Sequence, residues 1–256
     1  MTARARPVRL DALLVQRGLA GSRARARELI EAGSVLIDGI PARKPATRVR
    51  PDREIRLLTA DHAWVSRGAR KLLGVLDQLG VDPTGAVAAD LGASTGGFTQ
   101  VLLERGAQRV YAVDVGHGQL DWALRNDPRV VVMEGVNARH LESLPEPVGL
   151  VVGDLSFISL GLVLPAVRRI LAPGGQAVLL VKPQFEVGPE AVGKGGRVRS
   201  PEVRAAAIEA VQHRARAQGF DVVGGMDSPL AGARAGNVEF FLHLHWSGQP
   251  GSAAVR

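Results

Sequence analysis

Val87-Ala88-Ala89-Asp90-Leu91-Gly92-Ala93-Ser94-Thr95-Gly96-Gly97-Phe98 decides the fold: an apolar strand closes on a carboxylate and breaks into small residues before an apolar helix begins. Glycine lets the backbone turn from strand to helix and approach a ligand that a Cβ would push away. A nucleotide-like cofactor fits such a loop. The dinucleotide version, Gly-x-Gly-x-x-Gly, needs a second glycine two places after the first, where Ser94 stands, so pyrophosphate is disfavoured. Asp90 would also repel a pyrophosphate, yet it suits a cationic ligand. The next strand, Val110 to Val113, ends at Asp114, where an acid accepts hydrogen bonds from ribose hydroxyls. Acids at two successive strand ends, one for a cation and one for a ribose, point to S-adenosylmethionine and to methyl transfer. The expected cofactor contacts are Asp90, Gly92, Ala93, Ser94, Thr95, Gly96, Gly97, Phe98 and Asp114.

From Lys71 onward the pattern alternates strand and helix, with strands at Val87 to Leu91, Val110 to Val113, Val130 to Met133, Leu150 to Val152 and Ala177 to Val181. Val222 to Gly224 and Val238 to Leu244 complete the sheet. This is an α/β protein with a doubly wound, Rossmann-like sheet whose ligand sits at the strand ends. Asn137, in Gly135-Val136-Asn137-Ala138-Arg139 after the third strand, fits two roles, an adenine contact or a plain turn residue.

The first 60 residues carry the charge. They hold 13 of the 32 Lys and Arg but only 6 of the 25 Asp and Glu, so the whole net charge of +7 sits in the first quarter. Localised positive charge marks nucleic-acid binding. Within this segment Arg9 to Val15 reads as a short helix stopped near Gly18, and Ser22 caps a second helix running to Glu31, with Gly33 ending it. Val35 to Ile37 reads as a strand, Asp38-Gly39 as a tight turn and Glu54 to Leu57 as a returning strand. On the second helix Arg23 and Arg27 share one face, while Leu29 and Ile30 point to the core. The segments RLDALLVQRGL, SRARARELIEAGSVLIDG and KPATRV resemble the αL-motif RNA-binding domain found in a small-subunit ribosomal protein, pseudouridine synthases and tyrosyl-tRNA synthetases. The resemblance implies binding to structured RNA, with Arg4, Arg6, Arg23, Arg27 and Lys44 as phosphate contacts.

Only four lysines occur, at 44, 71, 182 and 194, in a chain where arginine is the usual cation. Lysine, unlike arginine, can lose its proton when crowded or desolvated. Lys182 closes the strand Ala177 to Val181, Asp154 follows Leu150-Val151-Val152-Gly153, Glu239 interrupts the apolar run around Val238 and Phe240, and Lys71 opens the helix after the interdomain stretch. Taken singly, each fits a surface ion pair. Together they match the Lys-Asp-Lys-Glu pattern of FtsJ-like ribose 2'-O-methyltransferases. The segments WVSRGARKL, DLGASTGGFT, DLSFISL, LLVKPQFEVG, GKGGRVRSP and GNVEFF, behind the RNA-binding segment, resemble the TlyA/hemolysin A family of rRNA (cytidine-2'-O)-methyltransferases from about Arg6 to His245. Ala69 departs from the Ser-Arg-Gly-Gly of many relatives. The resemblance implies rRNA or ribosomal subunits as partner, 2'-O methylation of cytidine in 16S or 23S rRNA, Lys182 as general base, Lys71 crowding the proton off it, and Asp154 and Glu239 orienting both amines. Phe157, three residues after Asp154, fits stacking on an unstacked base or core packing equally.

The implied organisation is an RNA-binding domain over 6–60, a linker over 61–66, a methyltransferase domain over 67–246 and a disordered tail over 247–256. The absence of cysteine removes disulfides and thiolate sites. His117 and His140 lack metal-ligand spacing, so no metal is expected. A basic start without an apolar run, and no stretch near ~18 apolar residues, predict a cytoplasmic protein that neither spans nor enters a membrane. The hemolysin name raises a membrane-active alternative, which the missing apolar span and missing amphipathic helix with aromatic anchors oppose. A non-enzymatic ribosome assembly factor is the other alternative, opposed by retention of all four candidate catalytic residues. Nothing in the residues sets an oligomeric state.

Overall fold

The computed structural model describes residues 6–31, 33–57, 64–232 and 236–248. The chain divides into two compact units, Met1–Ala63 and Trp64–Arg256. Arg4, the first part of the expected linker and positions 249–256 of the expected tail lie outside the described residues.

In the first unit, β1 (Val8–Arg9), α1 (Leu10–Gln16), α2 (Arg23–Glu31), β2 (Val35–Ile37), β3 (Ile40–Pro41), β4 (Arg48–Val49) and β5 (Ile55–Leu57) follow in order. Gly18 and Gly33 stand at φ +69° and +75° just past the helices, and Ser22 Oγ accepts from the Arg25 amide. The Asp38-Gly39 turn leads into β3, a strand too short to read from sequence, and β5 pairs along the other edge of β2. Leu10, Leu13, Leu14, Ile30 and Val35 form the core, with Leu29 only partly buried. Asp11 is the unexpected member of this unit. Its side chain is fully buried, and it receives Arg9 at 2.9 Å, Arg23 at 3.2 Å and Arg27 at 3.4 Å. The Arg9 hydrogen bonds, with those of Arg23, hold its carboxyl well below the usual range against the opposing effect of burial.

The second unit is built on a seven-stranded sheet of β6 (Val87–Leu91), β7 (Arg109–Asp114), β8 (Val130–Glu134), β9 (Val148–Gly153), β10 (Leu171–Val181), β11 (Asp221–Asp227) and β12 (Phe240–Trp246), in the order β11-β12-β10-β9-β6-β7-β8. The strands from β10 to β8 are parallel, and β12 and β11 add on antiparallel. Successive side chains alternate between two cores. Ala89, Leu91, Val151 and Leu179 meet α6 (Leu164–Ile170) and the Val211 and Ala215 face of α8 (Pro201–Ala217). Ala88, Val110, Val152 and Val178 meet α3 (Arg67–Leu79) and α4 (Gly97–Glu104). The short helices α5 (Trp122–Arg125) and α7 (Pro183–Glu186) follow β7 and β10. Trp64 packs against the α3 and α4 core.

After β6 the chain builds β7 and β8 to one side, then returns to lay β9 on the other. The crevice of such a sheet opens where the order reverses, here between β6 and β9. The Asp154 amide bonds to the Leu91 carbonyl at 3.1 Å across that point.

Replacing Asp11 with Asn should cost about 1.5–3 kcal/mol, the usual worth of hydrogen bonds to a charged group. Urea unfolding followed by circular dichroism measures this, and an unchanged midpoint would remove Asp11 as the anchor of the first unit.

Candidate active site

Lys71, Asp154, Lys182 and Glu239 come from four separate places in the chain and meet above the strand ends. Lys182 directly follows β10, Asp154 directly follows β9 and Glu239 directly precedes β12. Lys71 does not open its helix as the sequence pattern predicts, but projects from the second turn of α3, whose first turn is capped by Ser66 accepting from the Gly68 amide. Lys71 Nζ lies 2.7 Å from Glu239 Oε2 and 3.4 Å from Asp154 Oδ2. Lys182 Nζ lies 2.6 Å from Asp154 Oδ1 and donates to Ser156 Oγ at 2.7 Å. Asp154 thus holds two ammonium groups. Burial acts to raise its carboxyl, but the adjacent charges of Lys182 and Lys71 prevail and hold it below its ordinary value. Both lysines are about nine-tenths buried.

Helix α3 reaches this place because position 97 carries no side chain. A Cβ there would sit 2.2 Å from Ser66 Oγ and 2.8 Å from the Ala69 nitrogen. Ala69 is fully buried at that contact, where only a small residue fits.

The cofactor-loop residues separate into two groups. Ser94, Thr95, Gly92 and Asp114 are exposed or half-exposed, whereas Asp90, Ala93, Gly96, Gly97 and Phe98 are buried. Phe98 packs in the core with its ring centroid 6.1 Å from that of Phe241. Asp90 is 1% exposed, and its Oδ2 accepts from the Thr99 amide at 2.9 Å and the Thr99 hydroxyl at 2.7 Å. It thereby satisfies one of the free amides in the first turn of α4, which Gly96 has no side chain to cap. Asp90 Oδ1 has no partner among the described residues. Burial pushes this carboxyl up to about 7, with the Thr99 bonds opposing the rise. Asp114 accepts from the Ser94 amide at 2.8 Å and the Gly116 amide at 2.7 Å, which fixes the loop to the end of β7. Val115 beside it is an apolar side chain left 68% exposed, a feature the sequence pattern does not signal. Asn137 is exposed, and its Oδ1 accepts from the Arg139 amide.

S-adenosylmethionine fits this donor set. A partnerless carboxylate oxygen at Asp90, a half-exposed acid at Asp114 and an apolar side chain at Val115 answer its cationic end, ribose and adenine in turn.

Phe157 is not in the core. It is 78% exposed at φ +63°, a backbone state costing a bulky residue on the order of 1–3 kcal/mol, and its ring lies 5.2 Å from Phe185. Ser156 and Phe185 escape sequence reasoning, since a lone serine and a second phenylalanine carry no spacing signal. In the first unit Arg6 and Lys44 are exposed, while Arg23 and Arg27 are roughly half-exposed and tethered to Asp11. Among the described residues no cluster of His, Cys, Asp or Glu is placed to hold a metal ion, and no helix is long and apolar enough to cross a membrane.

Fold and site together define an S-adenosylmethionine-dependent methyltransferase preceded by a small RNA-binding domain. Residues 64–246 match the FtsJ-like methyltransferase model and residues 8–55 the S4 domain model. The chain is 55% identical to the 16S/23S rRNA (cytidine-2'-O)-methyltransferase TlyA of Mycobacterium tuberculosis, covering 94% of this chain and 90% of that one. It is 43% identical to the rRNA methyltransferase homologue YqxC of Bacillus subtilis, over 94% and 86%. A solved structure from Streptococcus thermophilus, described as a candidate hemolysin, superposes with a TM-score of 0.76 at 40% identity over 98% and 92%. The chain belongs to the TlyA family of FtsJ-like methyltransferases.

The raised Asp90 carboxyl makes stability depend on pH. The folded chain keeps a proton there that the unfolded chain releases near 3.8, so the contribution present below that value is lost as pH rises through about 7. Asp90→Asn should flatten this dependence, giving a thermal midpoint that falls less than the wild type's between pH 5 and pH 8. Parallel curves for the two proteins would exclude Asp90 as its source.

Proposed function

We propose that this chain methylates the ribose 2'-oxygen of a cytidine in 16S or 23S rRNA, with Lys182 as the general base. The observation that carries the reading is the convergence of Lys71, Asp154, Lys182 and Glu239 at ion-pair distances above the strand ends. The rRNA substrate is supported by the 55% identical relative and by the S4 match. A ribose hydroxyl is a poor nucleophile, and it must lose its proton as it attacks. When bound, S-adenosylmethionine supplies the electrophilic methyl group. Lys182 Nζ takes the 2'-proton as that oxygen attacks the methyl group, which the bound cofactor would release with the bonding pair left on its sulfur. Lys71 shares Asp154 with Lys182 and so fixes the carboxylate on which the Lys182 amine rests. Glu239 fixes Lys71, and Ser156 fixes the direction of the Lys182 amine. Asp90 would face the cofactor's cationic end and Asp114 its ribose, each also holding the loop in place through Thr99 and Ser94, and Asn137 stands at the loop after β8 as an adenine contact or turn residue. Phe157 holds the target base by stacking. The RNA is positioned by the 6–60 domain through Arg4, Arg6, Arg23, Arg27 and Lys44.

Tritium transfer from labelled S-adenosylmethionine to purified ribosomal subunits tests the reaction, with digestion to locate the label. Lys182→Ala and Lys182→Arg should both lose roughly 10²–10⁴-fold in turnover, since arginine keeps the charge but cannot accept a proton. Cofactor affinity by calorimetry should persist in both. Near-normal turnover in Lys182→Arg would sink the base assignment. No label in any wild-type reaction, with cofactor binding intact, would favour the assembly-factor reading.

Phe157→Ala should raise the KM for RNA about tenfold, in line with ~1–3 kcal/mol for stacking one base on an aromatic ring. A fall in kcat alone, at unchanged KM, would remove the stacking role.

A further inference from the structure

A second feature of the methyltransferase unit lies outside the quartet. A cavity of about 440 Å³ is walled by Arg197, Arg199, Ser200, Arg204, Gly236 and Val238. Its volume falls within the roughly 300–1,000 Å³ of ligand sites, but its lining is cationic where small-molecule sites are mostly apolar. The side chains of Arg197 and Arg199 are exposed and form no ion pair or hydrogen bond among the described residues. Arg204 reaches Asp227 at 3.6 Å, and Glu202 takes the Ser200 hydroxyl, so acids offset only part of the charge.

The wall is preformed. Asn237, 3% exposed, donates from Nδ2 to the Gly196 carbonyl at 2.8 Å and accepts at Oδ1 from the Val198 amide at 2.9 Å. Gly193 and Arg197 close a small antiparallel bridge, with Gly195 and Gly196 both in the left-handed region between them. The same Asn237 stands two residues before Glu239, and Val238 of the cavity wall is Glu239's immediate neighbour, about 3.8 Å away along the backbone. The arginine wall is therefore tied to the segment that positions Lys71.

We infer that this cavity is a phosphodiester subsite, which holds the backbone of the RNA strand beside the ribose presented to Lys182. Its place next to the target ribose rests on the proposed methylation, whereas binding of RNA phosphate by Arg197 and Arg199 does not. Free guanidiniums on a rigid wall suit phosphate oxygens, which they grip in a bidentate fork.

The test uses the full chain and purified rRNA, with affinity measured by filter binding between 50 and 200 mM salt. Removing one cation that neutralises a phosphate lowers the slope of log affinity against log salt by about 0.7 for single strands and about 0.9 for duplex. The pair Arg197→Gln and Arg199→Gln should lower it by about 1.4 to 1.8. It should also raise the KM for rRNA with kcat unchanged within twofold, and leave cofactor affinity unaltered. Arg197→Lys with Arg199→Lys should retain the slope. An unchanged slope in the glutamine pair overturns the proposal, as does an equal fall in the lysine pair, which would mean damage to the fold. If the glutamine pair does not fold, Arg199→Gln alone should lower the slope by about 0.7, and an unchanged slope there is equally fatal. Since the slope is read without catalysis, a wild type that transfers no methyl group removes the proposed reaction while leaving this readout intact.

Discussion

The contact between Gly97 and the start of α3 is the constraint on which the rest of the site depends. With 2.2 Å between the absent Cβ and Ser66 Oγ, the helix that carries Lys71 rests on the turn that leads from β6 into α4. Asp90 fixes the same turn from below by capping α4 at Thr99, and Asp114 fixes it from the side through Ser94. The glycine-rich loop after β6 and the helix that carries Lys71 are thus one packed unit. Packing between small residues fixes where Lys71 stands, and placement of this kind is what precise positioning of side chains requires.

The sheet was legible where composition and chemistry agreed. Val87 to Leu91 is a strand over the expected residues because an apolar run closes on an acid and then on glycine. The start of β10 was hidden, since Pro173 and Gly174 oppose strand formation and the register shifts between Leu171 and Gln176. Glu239 was expected inside a strand, yet β12 begins one residue later; the Glu239 carbonyl still accepts from the Ser228 amide at 2.8 Å, while the Asn237 side chain binds the backbone of Gly196 and Val198.

The site was legible in its residue types and less so in its geometry. Lysines in an arginine-rich chain carried a signal, so Lys71 and Lys182 could be picked out before their neighbours were known. Their sharing of Asp154 follows from the order of β9 and β10 in the sheet, a tertiary fact that no local pattern states. Asp11 shows the same limit, since in sequence it is an ordinary acid in a first helical turn. Burial turns it into the anchor of Arg9, Arg23 and Arg27.

The shared carboxylate has a consequence for long-range attraction. Two basic and two acidic side chains meet in the quartet, so with all four ionised it presents no net charge to an approaching polyanion. Any pull felt by RNA at a distance must come from cations elsewhere, in the first unit and around Arg197 and Arg199. Under the proposed reaction, capture and chemistry fall to different charges, and raising the salt concentration would weaken the first while leaving the second, shielded by burial, almost untouched.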